Sequence, residues 1–126
     1  MNDFDGWNAL KKQLDTLPRA PRFSEREVWW CSIGVNVGHE QDGKNKLYNR
    51  PVVVLRKFNK QLFLGVPLST AGPGPYRHPF SFKNRQQYAL ISHLRLYDAR
   101  RFGRRMGELP EATFNELKTE VRGLLK

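Results

Sequence analysis

This sequence predicts a single mainly β domain: an antiparallel sheet of five or six strands, strongly bent into a partial barrel, with a helix at each end of the chain. The length comes first, because 126 residues suffice for one hydrophobic core but not for two. Apolar residues in the middle of the chain alternate with a period of two, as on strands. Three-and-four spacing is confined to the two ends.

Phe4, Trp7, Leu10, Leu14 and Leu17 recur three or four residues apart, one stripe of a helix over 3–17, which Pro18 and Pro21 end. The stretch EVWWCSIG, residues 27–34, changes period. Val28, Trp30 and Ser32 face one way, and Trp29, Cys31 and Ile33 the other, so bulky residues on both faces predict a doubly buried strand. Residues 35–49 are a polar, glycine-punctuated loop. A strand over 50–58 turns at Asn59 and Lys60 and returns over 61–68, with Leu62, Leu64, Val66 and Leu68 on one face and Gly65 on the other.

Three prolines and two glycines within AGPGPYRHP, residues 71–79, predict an irregular segment. Phe80 and Phe82 suggest a short strand and 87–94 another; 96–102 reads as a helical turn and 104–109 as a last strand. The closing helix spans 109–125, with Pro110 in its first turn, Glu111 beside it, and Phe114, Leu117, Val121 and Leu124 on one face.

The net charge of +10 is concentrated in the centre, where residues 44–105 hold 14 Lys or Arg against one acid, Asp98. A field of that sign attracts polyanions and suits a phosphate backbone. One cysteine and three histidines well apart in sequence give neither an internal disulfide nor metal-ligand spacing, so neither metal nor cofactor is expected. The longest aliphatic run, residues 52–55, is far short of the roughly 20 residues of a membrane span. With a polar mean hydropathy of −0.66, the expectation is a soluble cytoplasmic protein.

The residues that invite chemistry surround GHEQDGKNKLYNRPVVVL, residues 38–55. Residues equidistant from the Asn59–Lys60 turn lie opposite one another, which sets Arg50 across from Ser69, with Thr70 adjacent. A guanidinium can hold two phosphate oxygens and match the extra charge of a pentacovalent phosphorus. His39, of near-neutral intrinsic pKa, could exchange protons with a 2′-hydroxyl or a leaving 5′-oxygen, a logic that requires RNA.

EVWWCSIG, GHEQDG, RPVVVL, VPLST and LRLYDARRFGRRMGEL, in this order and followed by an amphipathic helix, closely resemble the PemK/MazF-like toxins of bacterial type II toxin–antitoxin modules. The likeness covers about residues 25–125 and divides the chain into an N-terminal helical extension, 1–23, and a toxin domain, 24–126. It implies a twisted, barrel-like sheet of the CcdB type and a homodimer. It also implies a metal-independent, sequence-specific endoribonuclease that cuts single-stranded RNA by 2′-hydroxyl attack, leaving a cyclic phosphate and a free 5′-hydroxyl, and that is neutralised by an antitoxin.

By the same resemblance Arg50 stabilises the phosphate, the hydroxyl after VPL falls on Ser69 or Thr70, and the histidine of the GHEQ loop falls on His39. Glu40 and Gln41 would order that loop or touch RNA. The insertion KNKLYN brings Lys44, Lys46 and Tyr48, two cations and a stacking surface, to the groove lip. Arg77 of the basic centre joins them as an RNA contact.

Departures from the family pattern fall on a later strand. Leu90 and Ser92 stand where one branch has an arginine and an aspartate, and His93 stands where glutamine is usual, either as a replacement catalyst and RNA contact or as a packed strand residue. A basic groove favours an acidic, partly disordered antitoxin segment. Two other functions are weighed, one from the basic face and one from the resemblance. One is a non-catalytic nucleic-acid-binding protein of the same fold. The other is a topoisomerase poison, which Trp7, Trp29 and Trp30, all near the N-terminus, disfavour because the relative that acts this way uses a C-terminal tryptophan.

Overall fold

The computed structural model describes residues 19–32 and 49–125. The N-terminal helix expected over 3–17 and the loop bearing His39, Glu40, Gln41, Lys44, Lys46 and Tyr48 lie outside the described residues. Among the described residues there are seven strands, rather than the five or six expected: β1 Glu27–Ser32, β2 Asn49–Lys57, β3 Leu62–Ser69, β4 Arg77–Phe82, β5 Arg85–Leu90, β6 Arg95–Asp98 and β7 Phe102–Glu108. The helix α1, Glu111–Gly123, follows.

All pairings are antiparallel in the order β4-β5-β3-β2-β1-β7, with β6 also on β3. Strand β3 is the pivot. Its first half, Leu62 to Gly65, pairs with β6, while its last residues, Leu68 and Ser69, pair with Ala89 and Tyr88 of β5. The end strands meet without a ladder: a Cβ at Gly107 of β7 would lie 3.1 Å from Phe82 Cζ of β4, so the sheet curls strongly but stays open. Gly107 has φ +151, a conformation few L-residues adopt.

The β2–β3 hairpin has the register its turn implies, with Val52 opposite Pro67, Val53 opposite Val66 and Val54 opposite Gly65, then a shift before Arg56. Asn59 Oδ1 accepts from the N–H groups of Gln61 and Leu62 and so fixes the turn. Because β2 is buried from Val52 to Leu55, it separates two cores. Val28, Val53, Leu55, Val66, Leu68, Phe80, Phe82 and Ile91 meet Phe114 and Leu117 of α1 on one face. On the other, Phe23, Trp29, Cys31, Val52, Val54, Phe63, Tyr97 and Ala99 form an aromatic cluster.

Several local expectations are corrected. β4 begins inside the segment expected to be irregular, at Arg77. Pro79, which cannot donate to a ladder, is accommodated because β4 ends the sheet and has only β5 beside it. The strand expected over 87–94 stops at Leu90, and Ile91–His93 is a 3-10 turn. The helical turn expected over 96–102 divides into β6 and a 3-10 turn at Ala99–Arg101. Edge pairing to β3 decided this, burying Tyr97 while leaving Leu96 about half exposed. Leu62 and Leu64 are only half-buried, whereas Phe63 on the opposite face is fully buried. Pro110 is the N-cap rather than a residue of the first turn.

Candidate nucleic-acid interface

The second core ends in a cluster of arginines. Cys31, on β1, pairs with Arg50 of β2 on one side and with Phe102 of β7 on the other. Cross-strand partners share a face, so Arg50 rises on the face of the aromatic core. Arg101 directly precedes Phe102, and Arg95 of β6 lies opposite Gly65 with its guanidinium carbon 5.2 Å from the centroid of Tyr97. Three strands and a 3-10 turn thus bring Arg50, Arg95 and Arg101 around one floor made by Tyr97 and Cys31.

The electrostatics of that floor record the convergence. Burial pushes the Tyr97 hydroxyl up to about 12, against the opposing pull of Arg95 and Arg50 and with a smaller push from Cys31. Burial likewise pushes the Cys31 thiol up to about 12, opposed by Arg101 and Arg95 and assisted by Asp98. The floor is neutral and the rim cationic. Desolvation works on Asp98 in the raising direction too, but hydrogen bonds from the Arg100 side chain and N–H, with the charges of Arg100 and Arg101, hold its carboxyl below the usual range. Asp98 Oδ2 accepts from Arg100 Nη2 at 2.8 Å, and both side chains are 16% exposed. Among the described residues no carboxylate forms an ion pair with Arg50, Arg95 or Arg101.

Ser69 closes β3. It and Arg50 each stand two residues beyond the Val52–Pro67 pair, on the same face and at the same end of the hairpin, where β3 leaves β2 for β5. Ser69 Oγ accepts from the Ala71 N–H at 3.0 Å, which leaves its own proton free to donate. Thr70 is exposed just past the strand. Tyr88, half-buried, lies directly across from Ser69 and offers an aromatic surface beside the hydroxyl.

The remaining candidates stand apart from this cluster or outside the described residues. Arg77 is half-buried, and its Nη1 donates to Gly72 O at 3.2 Å, ordering the loop that leaves Tyr76 exposed. His93 is exposed on a 3-10 turn, with Nδ1 3.4 Å from Ser92 Oγ, and is therefore not a packed strand residue. Leu90 is buried and Ser92 exposed, so neither supplies an acid or base. The positions of His39, Glu40, Gln41, Lys44, Lys46 and Tyr48 fall outside the described residues.

Sequence reasoning did not single out Arg95, Arg101 or Tyr88. A signal existed in LRLYDARR, where a strand period puts Arg95 and Tyr97 on one side, but a helical reading of 96–102 scattered them. Among the described residues no group of three or more His, Cys, Asp or Glu could hold a metal ion, and no helix is long and apolar enough to cross a membrane.

Comparisons with known proteins agree with this architecture. The crystal structure of MazF (Form-I) from Deinococcus radiodurans superimposes with a TM-score of 0.58 at 20% identity, covering 86% of this chain and 98% of that one. At that identity the likeness establishes the fold. No curated protein matches the chain. Residues 24–125 match the family described as PemK-like, MazF-like toxin of type II toxin-antitoxin system. That match spans most of the sequence, and the chain belongs to this toxin family.

Proposed function

We propose that this toxin is a metal-independent endoribonuclease that cuts single-stranded RNA, with Arg50 as the group that stabilises the reacting phosphate. The observation carrying this reading is the rim itself: a half-buried arginine with no carboxylate partner among the described residues, above a neutral floor and at the same end of a hairpin as the Ser69 hydroxyl. An arginine so placed can hold a phosphate through two of its oxygens.

In the reaction the 2′-oxygen forms a bond to phosphorus as the bond to the 5′-oxygen breaks, giving a cyclic phosphate and a 5′-hydroxyl. The 2′-hydroxyl gives up a proton and the 5′-oxygen gains one. Arg50 neutralises the charge that builds on the phosphoryl oxygens, and the Ser69 hydroxyl, free to donate, or that of Thr70, binds one of them. His39 is the candidate for proton exchange. Glu40, Gln41, Lys44, Lys46, Tyr48, Arg77 and His93 are proposed as RNA contacts around this centre. The acting species is a cytoplasmic homodimer inhibited by an acidic antitoxin segment drawn to the same basic surface.

Purified protein should cut an unstructured mixed-sequence RNA in EDTA, with end mapping showing cyclic phosphate and 5′-hydroxyl termini. Arg50→Ala should fold and lose about 100- to 1,000-fold in rate, the usual effect of deleting an oxyanion-stabilising donor. Full activity in that variant removes Arg50 from the mechanism. RNA binding with no cleavage in any buffer would instead select a non-catalytic binding protein.

A further inference from the structure

Arg95 and Arg101 are not explained by the chemistry at one phosphate. Arg50 is the cross-strand partner of Cys31, Arg101 adjoins Phe102, its partner on the other side, and Arg95 packs over Tyr97, so all three guanidinium groups stand around the same buried floor. Like charges around one buried floor repel, and the described residues offer little local compensation. Asp98 is near enough to Arg101 for the two charges to interact, but its carboxylate oxygens already accept three hydrogen bonds from the Arg100 guanidinium and one from its backbone N–H. The remaining described ion pairs, Arg26 with Glu108 and Arg105 with Glu27, involve neither arginine.

Position separates the roles. Arg50 projects from β2 at the Ser69 end of the hairpin, whereas Arg95 lies on β6 opposite Gly65 and Arg101 lies in the 3-10 turn between β6 and β7. Arg95 and Arg101 therefore reach the floor from a different part of the sheet than Arg50. Tyr97 fixes Arg95, whose guanidinium packs on the ring. Asp98 anchors the turn that presents Arg101 by accepting from the Arg100 N–H at 2.9 Å.

We propose that Arg95 and Arg101 form a second phosphate subsite, which holds the phosphodiester next to the one at Arg50 and so sets the path of the strand across the sheet. This assignment rests on the reading of Arg50 as the residue at the reacting phosphate. The partner is the backbone of a single-stranded nucleic acid, because two anion sites side by side match successive phosphates of one strand and need no base identity. The subsite contributes affinity and register, and the neighbouring Arg50 contributes chemistry.

Binding of an all-deoxy, uncleavable single strand of mixed sequence tests this on the full chain, with affinity measured across a range of salt. Arg95→Gln and Arg101→Gln should each weaken binding roughly tenfold, and each should reduce the slope of log affinity against log salt by about 0.7, one phosphate contact to a single strand. Arg95→Lys and Arg101→Lys should restore the slope, which a merely structural role would not predict. Unchanged slopes in the glutamine variants overturn the subsite, and so would unchanged slopes with weakened binding of an acidic peptide. Cleavage by the parent chain, scored separately, decides the endonuclease reading, so the two can fail independently.

Discussion

At the residue scale, Gly65 shows how tightly the second core is built. A Cβ there would lie 2.7 Å from Phe63 Cε2, 2.8 Å from Val52 Cγ1 and 3.0 Å from Tyr97 Cδ2. Two of these atoms belong to stacked rings whose centroids are 5.5 Å apart, so neither ring can yield alone. Gly65→Ala is expected to lower stability by about 1–3 kcal/mol through overpacking, read as a lower midpoint in thermal unfolding. Since Tyr97 is one of the displaced rings, the same variant should weaken binding to single-stranded nucleic acid by moving Arg95. An unshifted midpoint would mean the aromatic cluster is looser than its geometry indicates.

At the element scale, the chain before β1 and the start of α1 are tied together by Arg26. Its N–H donates to Val54 O, its carbonyl accepts from the Leu109 N–H, and its Nε donates to Leu109 O at 3.1 Å. The residue takes φ +80, strained for a side chain, because both backbone bonds must form at once. Arg26→Ala keeps the strain and loses the side-chain bond, whereas Arg26→Gly loses the bond but relieves the strain. The alanine variant is therefore expected to be the less stable, by about 1 kcal/mol, in denaturant unfolding; the reverse order would remove strain from this account. Nothing in the local sequence marks Arg26, because its conformation is imposed by β2 and by the entry to α1, both remote in the chain. The β2–β3 hairpin is the opposite case, its turn chemistry and alternation fixing the register next to the turn.

At the scale of the whole molecule, two buried acids are expected to make the fold sensitive to alkali. The thiol of Cys31 is raised from 9.0 and the hydroxyl of Tyr97 from 10.0, each to about 12. In both cases the unfolded chain releases its proton at lower pH than the folded one. Their contribution is thus fully present below about pH 9 and is lost progressively as pH rises toward 12. Melting temperatures measured from pH 8 to 11 should fall, and fall less steeply in Cys31→Ala, which removes one of the two groups. An identical slope in that variant would show that the alkaline loss arises elsewhere. The thiol should also resist alkylation at pH 8 while the chain is folded.

By itself the sequence determined what depends on neighbours along the chain. Period-two alternation and the Asn59–Lys60 turn determined the central hairpin, three-and-four spacing determined the C-terminal helix, and the placing of 14 cations against one acid determined that the middle of the chain is strongly basic. Ordered short motifs pointed to the toxin family and to Arg50. Tertiary structure alone decided which arginines meet. Arg95 and Arg101 are 45 and 51 positions from Arg50 in the sequence, and they come together because β3 pairs with β6 along one half of its edge and β7 pairs with β1. Propensity along 95–101 leaves strand and helical turn nearly balanced, so pairing across the sheet, which no local window contains, settles the conformation and with it the surface that the charges share.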